Sequence, residues 1–81
     1  MTQTNRLSSV KNALRILRSF TMEQPEKRIT DLARELGISK SAVSRIMATL
    51  ASEGFVTKNE ETGQYRLGVS VLTLSSIFIA S

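Results

Sequence analysis

The sequence predicts a mostly α-helical domain closed by a small β-hairpin. Three helices form the core, two or three short strands follow, and a further helix ends the chain. Three observations predict this. Apolar residues recur at steps of three and four from Val10 to about Leu50, and again after Ser70. Between Phe55 and Leu67 the period changes to short β-prone runs around a polar turn. Pro25, Gly37 and Gly54 punctuate the helical segments. With 81 residues the chain is the size of one domain, which excludes a two-domain enzyme or a (β/α)₈ barrel.

Residues 1–8 read as a flexible N-terminal arm, polar except for Met1 and Leu7. In the first helix Val10, Ala13, Leu14, Leu17 and Phe20 form the inner face, with Ser8 or Ser9 as cap. Lys11, Arg15 and Arg18 share another face, which is either a solvated cationic surface or a phosphate contact. Pro25 ends this helix. A second, short helix spans Asp31 to Leu36, capped by Thr30, with Leu32, Ala33 and Leu36 inward and Asp31 well placed in the first turn. Gly37 follows, where a helix end often needs a positive φ. Ser39 caps a third helix, Lys40 to Glu53, whose inner face is Val43, Ile46, Met47 and Leu50. Gly54 closes it.

Phe55–Lys58 and Gln64–Leu67 are the hairpin strands, joined by Asn59–Gly63. Val56, Tyr65 and Leu67 face the helices, and Ile29 adds a third very short strand. The last stretch, Ser70 to Ser81, reads as a helix with Val71, Leu74 and Phe78 on one side. Leu72, Leu74, Ile77, Phe78 and Ile79 are too many apolar side chains for the edge of so small a domain. They are expected to bury against a second copy or another domain. For Val71 and Leu74, packing on the domain's own core is an equal reading.

Composition removes several functions. There is no Cys and no His. That excludes disulfides, zinc sites built on these residues, thiol nucleophiles and His general bases. Neither a cofactor nor a metal is expected. Glu60 and Glu61 sit on an exposed turn, where solvation explains them better than catalysis does. The longest uncharged stretch, Leu67 to Ser81, has 15 residues with five Ser or Thr, too short and polar to span a bilayer. No signal core precedes it. The expectation is a cytoplasmic protein without membrane contact. The formal charge of +4 points to an anionic partner.

The informative segment is Ile29 to Ala48. A helix-turn-helix unit needs a small residue where its helices cross, and Ala33 fits. It needs a residue free to adopt left-handed angles in the turn, and Gly37 fits. It needs apolar residues at the remaining contacts, and Leu32, Leu36, Ile38, Val43 and Ile46 fit. The outer face of the third helix carries Lys40, Ser41, Ser44, Arg45 and Thr49, with no carboxylate before Glu53. Such a face suits a major groove, where hydroxyls meet phosphates and base edges and Arg pairs with guanine. A solvated helix face is the plain alternative, but such faces more often mix Glu with Lys. The candidate contact residues are therefore Ser39, Lys40, Ser41, Ser44, Arg45 and Thr49. Lys58 and Arg66 in the hairpin strands join them as phosphate contacts, whereas Glu60 and Glu61 at its tip would repel phosphate.

These residues resemble the N-terminal winged helix-turn-helix domain of IclR-type transcriptional regulators, over about Leu7 to Ser81. The resemblance rests on Ser9-Val10 with Ala13–Leu17, on Ile29–Ala33, on Gly37–Arg45 with Thr49-Leu50, and on Glu53–Val56 with Tyr65–Gly68. The family usually has Pro where Ser39 stands and Thr where Ala42 stands. The resemblance implies a winged helix-turn-helix over residues 9–68, with the helix-turn-helix at 29–48, and the start of a linker helix over 69–81. It implies a dimer on double-stranded operator DNA and an effector domain beyond the linker that binds a small molecule. A winged helix that docks protein rather than DNA is the alternative, and an apolar third-helix face would favour it.

Overall fold

The structure, a computed structural model, describes the backbone of residues 2–81 and side chains from Leu7 onward. Its elements in chain order are α1 (Thr2–Ser19), α2 (Ile29–Leu36), α3 (Lys40–Ser52), β1 (Val56–Lys58), β2 (Tyr65–Leu67) and α4 (Val69–Ala80). The fold is a winged helix-turn-helix, with α1 to α3 around one core and a two-stranded antiparallel hairpin against it.

α1 differs from the sequence reading in length and in phase. It contains no Gly or Pro, so nothing breaks the helix upstream of Val10. Residues 2–8 are helical where an arm was expected, and Ser8 and Ser9 lie inside the helix rather than at its cap; Met1 lies outside the described residues. The core receives Ile16 and Phe20, with Leu17 packed alongside, while Val10 and Leu14 are exposed. The helix carries two apolar stripes, Leu7-Val10-Leu14 and Ala13-Ile16-Leu17, the second continued by Phe20 just past the helix end. Only the second enters the core.

α2 starts at Ile29, two residues before the expected start. Its cap is Arg28 rather than Thr30, and the Arg28 backbone N–H donates to Asp31 Oδ2 at 2.9 Å. This arrangement satisfies a backbone donor through a carboxylate in the first turn, where the helix dipole also favours negative charge. Leu32 and Ala33 are buried. Gly37 ends α2 with φ 72, and the N–H groups of Gly37 and Ile38 both donate to the Ala33 carbonyl. Ser39 then caps α3, its Oγ accepting from the Ala42 N–H at 3.1 Å. Val43 and Met47 are fully buried on α3, and Ile46 and Leu50 are half-buried against the core.

The hairpin pairs Val56 with Leu67, Thr57 with Arg66 and Lys58 with Tyr65. Val56 is buried and Tyr65 packs on the core, but Leu67 remains 38% exposed, contrary to expectation. The third strand element is a single bridge at Lys27, not Ile29, which belongs to the first turn of α2. Lys27 exchanges both backbone hydrogen bonds with Tyr65, at 2.9 and 2.7 Å. Its side chain is 3% exposed, and Nζ donates to Glu35 Oε1 of α2 at 2.6 Å. Through Lys27 the wing is thus fixed to the helix-turn-helix.

α4 leaves the hairpin at a close backbone crossing. The Gly68 N–H donates to the Phe55 carbonyl and the Ser70 N–H to the Gly54 carbonyl. A Cβ at Gly68 would collide with the Gly54 carbonyl oxygen. Val71 is half-buried, whereas Leu72, Leu74, Ile77, Phe78 and Ile79 are exposed, Phe78 at 82% and Ile79 at 80%. Leu74 therefore does not cap the domain's own core. Among the described residues no helix is long and apolar enough to cross a membrane.

Candidate nucleic-acid interface

The sequence places α3 between two strict signals. Gly37 adopts the left-handed conformation that turns the chain, and Ser39 supplies the hydroxyl that starts the next helix. Burial of Val43 and Met47 then fixes the rotation of α3 about its axis. Lys40, Ser41, Ser44, Arg45 and Thr49 are all left exposed, as is Ser39 at the cap. Arg45 is not tucked inward, and Ile46 does not face water.

These side chains differ in what they have free. Ser39 Oγ holds the cap and lies 3.3 Å from Ser41 Oγ. Thr49 Oγ1 donates to the Arg45 carbonyl at 3.3 Å within its own helix. Lys40 and Arg45 form no ion pair among the described residues. Two exposed cations thus stand among short hydroxyls, on a helix surface whose first carboxylate is Glu53. Such a surface offers donors to anionic oxygens and to the acceptor edge of guanine.

The two hairpin candidates lie apart from this group and from each other. Side chains alternate across a pleated strand, so Arg66 shares a face with Thr57, and Lys58 with Tyr65. Lys58 Nζ stands 5.9 Å from the Tyr65 ring centroid. Lys58 and Arg66 are exposed, and Tyr65 is half-buried. At the tip, Asn59 Oδ1 accepts from the N–H of Glu61 at 2.9 Å and of Thr62 at 3.3 Å. Glu60 and Glu61 are exposed there.

Two positioning residues escaped the sequence reading. Arg28 Nη1 donates to the Thr62 carbonyl at 2.6 Å, tying the wing tip to the start of α2. Lys27 ties β2 at Tyr65 to the end of α2 at Glu35 from inside. Neither carries a sequence signal, because a lysine and an arginine after Pro25-Glu26 read as an ordinary polar loop. Asp31 completes this corner. The Arg28 backbone N–H, and secondarily the Arg34 guanidinium at 3.1 Å, hold its carboxyl below the usual carboxylate range. The described residues contain no cluster of three or more His, Cys, Asp or Glu that could hold a metal ion.

A shallow groove of about 360 Å³ runs beside α3. Ser8, Val10, Asn12 and Ala13 of α1 form one wall, and Ala42, Arg45, Ile46 and Thr49 of α3 the other. The middle of α1, from Ser8 to Ala13, therefore flanks the Arg45–Thr49 side of the candidate surface.

Residues 9–60 match the family model of the IclR helix-turn-helix domain. The transcriptional regulator XynR of Escherichia coli K12 is 35% identical over 75 residues, which is 93% of this chain and 30% of the relative. An IclR-type regulator from Silicibacter sp. TM1040 superposes with a TM-score of 0.84 at 38% identity, over 89% of this chain and 28% of that one. An IclR-family regulator from Brucella abortus gives the same TM-score at 26% identity, over 90% and 28%. The chain thus spans less than a third of the length of each of these relatives.

Proposed function

The chain belongs to the IclR family of DNA-binding helix-turn-helix domains, and from that membership we propose that it reads operator DNA with α3 in the major groove. Lys40, Ser41, Ser44 and Arg45 meet base edges, while Ser39, Thr49, Lys58 and Arg66 serve phosphates. The observation that carries this reading is the exposed, carboxylate-free face of α3, with Arg45 free at its centre and Val43 and Met47 buried behind it. A helix of ordinary diameter fills a major groove about 12 Å wide, so side chains on that face reach base edges without distorting the duplex. The domain is not an enzyme; its work is positional. Phosphate contacts set the register, and base contacts select the sequence.

The whole protein of which such a domain is part is a dimer that acts in the cytoplasm on palindromic DNA and answers a small-molecule effector through a further domain. The exposed apolar residues of α4 support an association of this kind. Two α3 helices would then lie about 34 Å apart, or a multiple of that, along the duplex.

The test is a duplex enriched from a random pool by the chain itself. Arg45→Ala should weaken binding to it by about 1–3 kcal/mol and relax the choice of base at one position. An Arg45→Ala chain that binds and discriminates like the parent would remove Arg45 from the reading surface.

A further inference from the structure

The positive charge of the chain is not spread over the fold. α1 holds Arg6, Lys11, Arg15 and Arg18 and no carboxylate. Of the eleven Lys and Arg in the sequence, the seven that remain are matched by the seven Asp and Glu, so the whole net charge of +4 resides on α1. The side chain of Ile16 fixes the rotation of this helix, and that rotation turns Lys11, Arg15 and Arg18 away from the buried apolar stripe. Ser8, Lys11, Asn12 and Arg15 then follow one another along a single polar face. Arg15 Nη1 donates to Asn12 Oδ1 at 3.3 Å, and Asn12 lines the groove opposite Arg45.

Placement gives this charge a use. If α3 fills the major groove, a helix that flanks its exposed face, with axes about 8–10 Å away, stands within reach of the bordering phosphate strand. The middle of α1, from Ser8 to Ala13, is that neighbour on the Arg45–Thr49 side. We propose that the carboxylate-free face of α1, through Lys11 and Arg15, grips the phosphate strand flanking the groove that α3 reads. This rests on the DNA reading of α3 and adds to it a second, sequence-independent hold. Arg15 and Arg18 both border a depression with Glu35 and Leu36 of α2; Arg15 is the one whose guanidinium reaches back to Asn12, and Arg18, three residues further along, is not part of the grip.

The test compares Lys11→Gln/Arg15→Gln with the parent by fluorescence anisotropy, on the enriched duplex and on a scrambled one, across a potassium chloride series. Each lost phosphate contact removes about 0.9 from the slope of log affinity against log salt. The double variant should therefore lose about two from that slope and weaken on both duplexes by the same factor. Lys11→Arg/Arg15→Lys, which keeps both charges, should keep the parent's slope. If the Gln variant keeps the parent's slope and affinity while Arg45→Ala loses discrimination, the α1 contact is wrong and the α3 reading stands. If the Arg/Lys exchange variant also loses the slope, a charge-based contact is refuted. If the parent binds neither duplex at low salt, both fall together.

Discussion

Glu35→Gln should destabilise the domain far more than Lys27→Met, although the two residues share one ion pair. The reason is unequal burial. Lys27 is 3% exposed and Glu35 34%, with Nζ and Oε1 2.6 Å apart. Removing the carboxylate charge strands an ammonium that water barely reaches, over the Phe20 ring at 6.0 Å. Breaking a buried pair in this way costs about 3–5 kcal/mol, and the exposure of Glu35 argues for the low end, about 3 kcal/mol. For a domain of this size that is about 12–24 °C of melting temperature. Removing the lysine instead leaves a carboxylate that turns to water, and Met fills a similar volume, so Lys27→Met should stay within about 1 kcal/mol of the parent. Urea unfolding of both variants and of Lys27→Met/Glu35→Gln at neutral pH measures the difference. The double variant should recover most of the loss. Equal costs for the two single changes, or a larger cost for Lys27→Met, would refute the assignment of the penalty to the buried ammonium.

The phase of α1 is tested by Ile16→Ala, expected to cost about 2–5 kcal/mol, against Leu14→Ala, expected to cost little because its side chain is exposed; thermal melts separate them. Gly68→Ala should destabilise more than Gly37→Ala in the same melts. A Cβ at Gly37 meets nothing within 4 Å and incurs only the left-handed penalty of about 1–2 kcal/mol, whereas at Gly68 it strikes the Gly54 carbonyl. Asp31 has a lowered folded-state pKa, so its contribution is present above the usual carboxylate value and is lost as pH falls through the lower folded value. Asp31→Asn should therefore lower the melting temperature at pH 7 and bring it closer to that of the parent at pH 2–3, as a pH series of melts would record.

What the sequence revealed and what it hid divide along one line. α2, the turn and α3 were legible because Gly37 and Ser39 act locally: a positive φ and a side-chain cap are decided within four residues of chain. The candidate surface on α3 was legible for the same reason, since Val43 and Met47 leave no choice about which side faces out. α1 was misphased because it carries two apolar stripes, and only the partner helices decide which one is buried. Lys27 and Arg28 were invisible because their roles are set by Glu35, Tyr65 and Thr62, distant in sequence. Alternation alone places Leu67 inward, and it cannot tell a strand end that reaches the core from one that overruns it.

The same division bears on how the domain holds DNA. A face fixed by local signals has a defined rotation, and side chains that discriminate bases must be held in register. The α3 residues meet that condition: their helix is capped at Ser39 and pinned at Val43 and Met47. Phosphate contacts tolerate more latitude, because a charge attracts an oxygen from many directions. Wing residues fit that looser demand, standing on a hairpin whose position depends on long-range ties such as Lys27–Glu35 and Arg28–Thr62. Loosening the Lys27–Glu35 tie should therefore weaken binding to every duplex before it alters the choice among them. If Glu35→Gln, below its melting transition, shifted the preferred base sequence instead, α3 would not be the independently anchored element that its cap and core contacts describe.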